Sequence, residues 1–322
     1  MNTSPPTTLA RRSLMKSTGV IGLAAAGGLA FQGRPAEAAT SPRLSVSSHS
    51  HTLYTSKALT ENRTQQSFGF DQANRRMFIM QGRQDSTGDD LCLNRVSLSG
   101  KPLGTMYLDN AGHGIGFGVE PVGTSSYIWA EARADSTGRA TCLMRFKWIP
   151  GTKPANVKYY FQGNRNVSCS MDPINQHLLV RCIPAGSTGT GHVNYLYSLP
   201  FGHPEKMRRL LKFTLPRTLQ GIGVYQGCAP YGRYLYALFG SPQRNTANID
   251  SKLAVVDMHT GLQVGSPVMT YAGKNLPFRE PEGVAIYRSL AGTVGLYFGF
   301  TSRNFYDGKL IYSNIYYKNN LV

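Results

Sequence analysis

Apolar positions along this chain fall in short runs broken by Gly, Pro, Asn and Asp, and helical spacing is not sustained over any long stretch. Five of the runs can be laid over one another. They are Gln66-Ser67-Phe68-Gly69-Phe70-Asp71, His113-Gly114-Ile115-Gly116-Phe117-Gly118, Val167-Ser168-Cys169-Ser170-Met171-Asp172, Gln220-Gly221-Ile222-Gly223-Val224-Tyr225 and Glu282-Gly283-Val284-Ala285-Ile286-Tyr287. Their first residues are 47, 54, 53 and 62 positions apart, a drifting period that marks a repeat architecture. Each run opens on a mostly polar residue, passes a small one and alternates into apolar positions, as an inner strand does where strands crowd together. A second strand is expected after each, at residues 77–81, 127–131, 177–182, 234–239 and 295–300. Third strands are expected at 91–97, 141–148, 192–198, 252–257 and 309–315. Four of the repeats also carry a fourth, at 105–108, 157–161, 210–214 and 264–271.

The fifth repeat has no fourth strand, while a lone extended run at 51–58 precedes the first repeat without a partner of its own. Pairing that run with the last repeat closes a ring and removes open sheet edges. The expected fold is therefore all-β, a five-bladed β-propeller closed by an N-terminal strand. A two-sheet sandwich is the alternative, but it gives no reason for five similar units.

The residues ahead of the repeats decide the compartment. Ala10-Arg11-Arg12-Ser13-Leu14-Met15-Lys16 reads as a twin-arginine export motif, followed by a weakly apolar run at 19–31, the helix breaker Pro35 and the small-residue cleavage pattern Ala36-Glu37-Ala38. A bilayer-spanning helix needs about 20 apolar residues. This run is shorter and rich in Ala and Gly, so residues 1–39 read as a signal peptide rather than a retained anchor, and 40–322 as a single propeller domain. The expectation is a secreted protein, extracellular or associated with the cell wall, monomeric and without a transmembrane anchor. The 34 Lys and Arg against 17 Asp and Glu give a formal charge of +17, most of which survives removal of the leader. Such a surplus attracts polyanions. Outside a cell these are teichoic acids, acidic polysaccharides, anionic lipid surfaces and stray nucleic acid.

The residues also carry a family resemblance. Gln66-Ser67-Phe68-Gly69-Phe70-Asp71 with Asn74 and Met80-Gln81 resembles the opening blade of the propeller family that includes teichoic acid biosynthesis protein C and receptor-binding proteins of phages that attack Gram-positive bacteria. Gly112-His113-Gly114, Gly118-Val119-Glu120 and Tyr127-Ile128-Trp129 are similar to its second blade; Leu219-Gln220-Gly221 and Glu280-Pro281-Glu282-Gly283 resemble its fourth and fifth. The resemblance spans roughly residues 50–315. It implies a five-bladed propeller that recognises cell-wall glycopolymers, and it brings no settled catalytic mechanism.

In an antiparallel meander the start of the first strand and the end of the second share one edge. Five blades would thus gather Gln66, His113, Gln220 and Glu282 around one mouth of the channel, with Val167 the odd member. The second-strand ends add Gln81, Arg83, Glu131, Arg133, Arg181 and Arg303, and Glu280 lies two residues before Glu282. Arginine forks suit carboxylate or phosphate, so Gln66, Arg83, Glu131, Arg133, Arg181, Gln220, Glu280 and Arg303 form the expected ligand-binding set. His113 and Glu282 are the candidates for acid–base work. Asp71 and Asp172 stand where hairpin turns begin and read as Asx-turn residues, and Glu120 reads as a structural partner for backbone or Arg. Cys169 and Cys182 lie on neighbouring strands and suit either a cross-strand disulfide or buried thiols. No metal-ligand spacing and no Gly-x-Ser-x-Gly elbow occurs, so neither a metal nor a cofactor is expected.

Three functional readings follow. The first is a propeller that binds an anionic polysaccharide or teichoic acid, with no specific nucleic acid partner. The second is a polysaccharide lyase or phosphodiester-cleaving enzyme using the same arginines and His113. The third is a scaffold propeller whose partner is a protein. The sparse carboxylates argue against an ordinary glycosidase, which needs two well-placed acids. Binding and cleavage of an anionic glycan draw on the same residue types, so the sequence does not separate the first two.

Overall fold

The computed structural model describes residues 42–84, 86, 89–242, 248–304, 306 and 308–322; the export segment expected within residues 1–39 lies outside these. The N-terminal strand β1 (His51–Lys57) precedes five antiparallel sheets. Blade 1 is β2 (Gln65–Asp71), β3 (Arg76–Gly82), β4 (Leu91–Val96) and β5 (Pro102–Leu108). Blade 2 is β6 (Gly118–Val122), β7 (Ser125–Ala134), β8 (Ala140–Lys147) and β9 (Lys158–Tyr160). Blade 3 is β10 (Arg165–Asp172), β11 (His177–Ile183), β12 (Val193–Ser198) and β13 (Arg208–Phe213). Blade 4 is β14 (Tyr225–Tyr231), β15 (Tyr234–Phe239) and β16 (Lys252–Asp257), with β17 (Leu262–Gln263) and β18 (Val268–Met269) both pairing with β16. Blade 5 is β19 (Glu280–Arg288), β20 (Val294–Arg303) and β21 (Ile311–Lys318), and its fourth strand is β1. The fourth strand of blade 4, expected as one run over 264–271, is interrupted at Gly265-Ser266-Pro267, where Pro has no N–H for the ladder.

Ring closure is extensive. β1 pairs antiparallel with β21, Tyr54 is buried, and its hydroxyl lies 2.9 Å from Ser313 Oγ. Upstream, Leu44 bridges Leu321 and donates its N–H to Tyr236 Oη at 2.7 Å.

Each blade uses both faces. Five apolar clusters fill the five junctions, for example Phe78, Met80 and Leu93 of blade 1 against Ile128, Met144 and Trp148 of blade 2. Trp129 and Leu143 meet Val167 and Leu178 between blades 2 and 3. Tyr54, Ile315 and Tyr297 meet Phe68, Phe70 and Met77 across the closing junction. This explains why the strands read as nearly continuous apolar runs: a blade between two neighbours has no solvent face.

Buried acids staple blade to blade. Asp71 accepts Asn74 N at 2.8 Å, the expected Asx turn, and also Ser126 Oγ of blade 2 at 2.5 Å. Asp172 accepts Ile174 N and Asn175 N, both at 3.0 Å, and Gly232 N of blade 4 at 3.0 Å. Glu120 takes Trp129 Nε1 at 2.7 Å, Arg145 Nε at 2.8 Å and Gly202 N of blade 3 at 2.7 Å. The five cysteines are buried free thiols; Cys169 pairs in register with Val180, not Cys182, so the disulfide alternative is set aside.

Candidate functional site

Two of the five expected inner strands begin later than their glycine alternation indicates. In blade 2 the strand starts at Gly118, and in blade 4 at Tyr225. His113 and Gln220 are therefore loop residues, not strand openers. Gly114 and Gly221 have φ of +79° and +77°, left-handed values that interrupt extended backbone.

The axis is a packed junction rather than an open bore. Ser67 Oγ donates to Gly114 O at 2.6 Å. A Cβ placed on Gly283 would lie 2.8 Å from Ser67 Cα, and one on Gly116 would lie 2.6 Å from Cys169 O. Two spaces of 10 Å³ remain, each about the room of one water. One is bounded by Ser168, Ser170, Arg181, Tyr225 and Cys228; the other lies between Phe68, Phe117, Ser170 and Val284. The larger recesses are off-axis. One of 360 Å³ is lined by Arg63, Thr64, Gln66, Arg83 and Asp90. Another of 700 Å³ lies between blades 3 and 4, lined by Arg181, His192, Arg217, Gln220, Tyr225 and the Gly221–Gly223 backbone.

The four arginines expected at the mouth share a feature that the sequence did not reveal: each stacks on an aromatic ring. The guanidinium carbon lies 5.1 Å from the Tyr107 centroid in Arg83, 3.9 Å from Tyr159 in Arg133, 4.5 Å from Tyr225 in Arg181 and 4.3 Å from Phe278 in Arg303. Stacking fixes the head of a long side chain before any ligand arrives. Their hydrogen bonding differs. Arg83 pairs with Asp109 at 2.9 Å and Asp90 at 3.6 Å, and Arg133 donates to Gln162 Oε1 at 2.7 Å. Arg181 Nη1 and Arg303 Nε are buried and have no hydrogen-bond partner among the described residues.

The acids fall into two kinds. Glu131 is buried and accepts Gly114 N at 2.9 Å and Ile115 N at 3.0 Å, holding the loop that carries His113. Burial pushes its carboxyl up to about 7 despite these N–H donors and the Arg139 charge. Glu282 is 5% exposed and sits in a bulge of β19, with no hydrogen bond to its carboxyl among the described residues. Burial, reinforced by Glu280, raises it well above the usual carboxylate range. Glu280 is itself raised by burial, against the pull of Arg303. The His113 side chain is exposed, yet the surrounding protein, and then Arg139, lower its pKa. His192 is lowered to about 4 by burial, Arg181 and Arg139.

Arg139, His192, Arg217 and Tyr225 were not among the residues expected at the site: Arg139 and Arg217 lie outside the aligned runs, while Tyr225 and His192 stand within expected strands and read as strand residues. One signal was present: between Asp172 and Asp250 the chain holds a single acid, Glu205, against eight Lys and Arg. Among the described residues no group of three His, Cys, Asp or Glu could hold a metal ion, and no helix is long and apolar enough to cross a membrane.

Comparison with known proteins fits this architecture. The chain is 25% identical over 266 residues to the "Putative major teichoic acid biosynthesis protein C" of Bacillus subtilis (strain 168), covering 78% of this chain and 59% of that protein. It thus spans about three-fifths of the length of that curated relative. Among solved structures, Myxococcus xanthus glutaminyl cyclase superposes with a TM-score of 0.48 at 14% identity, over 85% of this chain and 97% of that one. The alpha-L-arabinofuranosidase from Lactobacillus brevis gives 0.47 at 10%, over 82% and 91%. Likeness at that level says nothing of chemistry. Residues 64–316, nearly all of the ring, match the phage 5-bladed beta propeller receptor binding platform domain, and the chain belongs to that family.

Proposed function

We propose that the protein is an exported recognition propeller that binds an anionic cell-wall or extracellular glycopolymer on the face carrying the second-strand ends. The observation that carries this reading is the pair of stacked arginines, Arg181 and Arg303, each with a buried N–H that has no partner among the described residues. An unmet buried donor costs about 1–3 kcal/mol, which a phosphate or carboxylate oxygen would recover. The family and the teichoic acid protein relative support the choice of polymer, and the twin-arginine motif supports the compartment.

A second reading, cleavage of the same polymer, is favoured by the protonation states at the mouth. Burial and Glu280 raise the Glu282 carboxyl well above the usual carboxylate range, and the surrounding protein and Arg139 lower the pKa of His113, shifts that favour a proton donor and a proton acceptor respectively.

One experiment addresses both. The protein without residues 1–39 is incubated with purified teichoic acids and acidic polysaccharides, and both retention and released fragments are measured. Arg181→Ala with Arg303→Ala is expected to weaken binding roughly tenfold or more and to flatten its salt dependence. Unchanged affinity would end the binding reading. Should fragments appear, His113→Ala is expected to slow their release by about 10²–10⁴-fold; a normal rate in that variant removes His113 from the chemistry.

A further inference from the structure

The cleft between blades 3 and 4 does not end at its own walls. β13, the outermost strand of blade 3, runs straight into it: Thr214, Leu215, Pro216 and Arg217, which line the cleft, are the residues that follow the strand. The outer side of β13 pairs with no strand among the described residues. Arg208, Arg209, Leu210 and Lys212 are all exposed along it, and Lys206 is exposed just before it. The nearest acid in sequence, Glu205, is occupied by His203 Nδ1 at 3.1 Å and stands beside Lys206, and no other acid occurs between Asp172 and Asp250. The stacked Arg181 lines the cleft with Arg217 and Gln220, and its buried Nη1 has no partner among the described residues.

We propose that the cleft and the β13 edge form one continuous track, along which a linear polyanionic glycopolymer enters between blades 3 and 4 and descends the outer edge of blade 3. The inference rests on the reading of an anionic glycopolymer as ligand, and it moves the main seat off the propeller axis. Three features favour such an occupant. The axis is packed shut, so a chain has nowhere to thread. A six-residue strand extends about 20 Å, long enough to face several repeats of a chain bearing one charge per repeat. The exposed cations Arg208, Arg209 and Lys212 lie within one strand with no acid among them, which matches a uniformly charged chain better than a folded protein surface of mixed sign. The cleft end supplies the directional contacts, through Arg181 and Gln220; the strand end supplies charge.

The distinguishing property is dependence on ligand length. The probes are lipid-free poly(glycerol phosphate) of some twenty repeats, an oligomer of two or three repeats, and double-stranded DNA of matched charge. In the protein without residues 1–39, the triple variant R208A/R209A/K212A is expected to bind the long polymer at least tenfold more weakly, with the penalty shrinking below twofold for the short oligomer. R181A/R217A is expected to weaken both. A control triple of equal charge, K57A/K101A/K158A, removes exposed lysines outside blades 3 and 4 and is expected to cost less than twofold with either probe. If the unmodified protein binds neither glycerol phosphate probe, the glycopolymer reading itself fails. If it binds both and the β13 variant loses no more than the control, the track is wrong while the reading stands. Tighter binding of DNA than of the long polymer would overturn the track's assignment to a glycopolymer.

Discussion

Glu131 shows how one residue can be conspicuous in the sequence and still hold a different post from the one expected. It was expected at a second-strand end; β7 runs on to Ala134, and the Glu131 carboxyl turns inward to the Gly114 and Ile115 N–H groups. A Cβ on Gly112 would lie 2.6 Å from its Oε2, so the loop is moulded on this side chain. Because burial raises its pKa to about 7, the folded protein holds more protons than the unfolded chain between the ordinary Glu value and 7. Stability from this group is full below about pH 4.5 and is lost as pH rises towards 7, by roughly 3 kcal/mol in all. His192, lowered to about 4, acts oppositely, adding stability as pH rises from 4 to its usual value near 6.5. Comparing wild type with Glu131→Gln isolates the first effect. Denaturant titrations from pH 5 to 8 are expected to show the wild type losing ground to the variant across that window; parallel curves would mean Glu131 is ionised throughout.

At the scale of elements, the strands that the sequence placed well are those whose apolar runs face two neighbouring blades. All five second strands were found within a few residues, since β3, β7, β11, β15 and β20 are buried along nearly their whole length. The inner strands of blades 2 and 4 were misjudged because His113-Gly114-Ile115-Gly116 and Gln220-Gly221-Ile222-Gly223 alternate as strands do. Their glycines instead adopt left-handed backbone at Gly114 and Gly221 and close approach at Gly116. Blade-to-blade geometry is held by buried acids, of which Glu120 joins β6 to Trp129 of β7, Arg145 of β8 and Gly202 of blade 3. Glu120→Ala would strand the buried Arg145 guanidinium and the N–H donors of Trp129 and Gly202. A loss of about 3–5 kcal/mol is expected on the precedent of broken buried ion pairs. Chemical denaturation reads it directly, and a loss under 1 kcal/mol would demote the staple to a surface contact.

For the whole molecule, closure depends on a segment that the five repeats do not include. Residues 42–59 bring Leu44 into the core of blades 4 and 5 and Tyr54 into the junction of blades 5 and 1, and β1 covers the edge of β21. A chain beginning at Thr60 loses both buried side chains, worth roughly 1.5–3 kcal/mol each, and exposes β21 as a free edge. It is expected to melt well below a chain beginning at Arg43 and to self-associate in light scattering. A monomer with unchanged melting would show that the ring closes without β1.

Sequence alone determined the fold class, the number of blades and the surplus of positive charge. These follow from periodicity and composition, which local physics reads without knowing what lies opposite. It also identified Asp71 and Asp172 as Asx-turn residues, since an Asp where a hairpin turn begins can accept the turn's N–H groups, and Glu120 as a structural partner for backbone or Arg. Only the tertiary structure decided that the axis is packed shut, that Arg83 is spent on Asp109 and Asp90 while Arg181 keeps a buried donor without a partner among the described residues, and that Arg217 and His192 line one cleft with Arg181. Those facts depend on which blade borders which and on how closely two backbones approach at a glycine. Contacts between residues far apart in the chain leave no periodic trace in it.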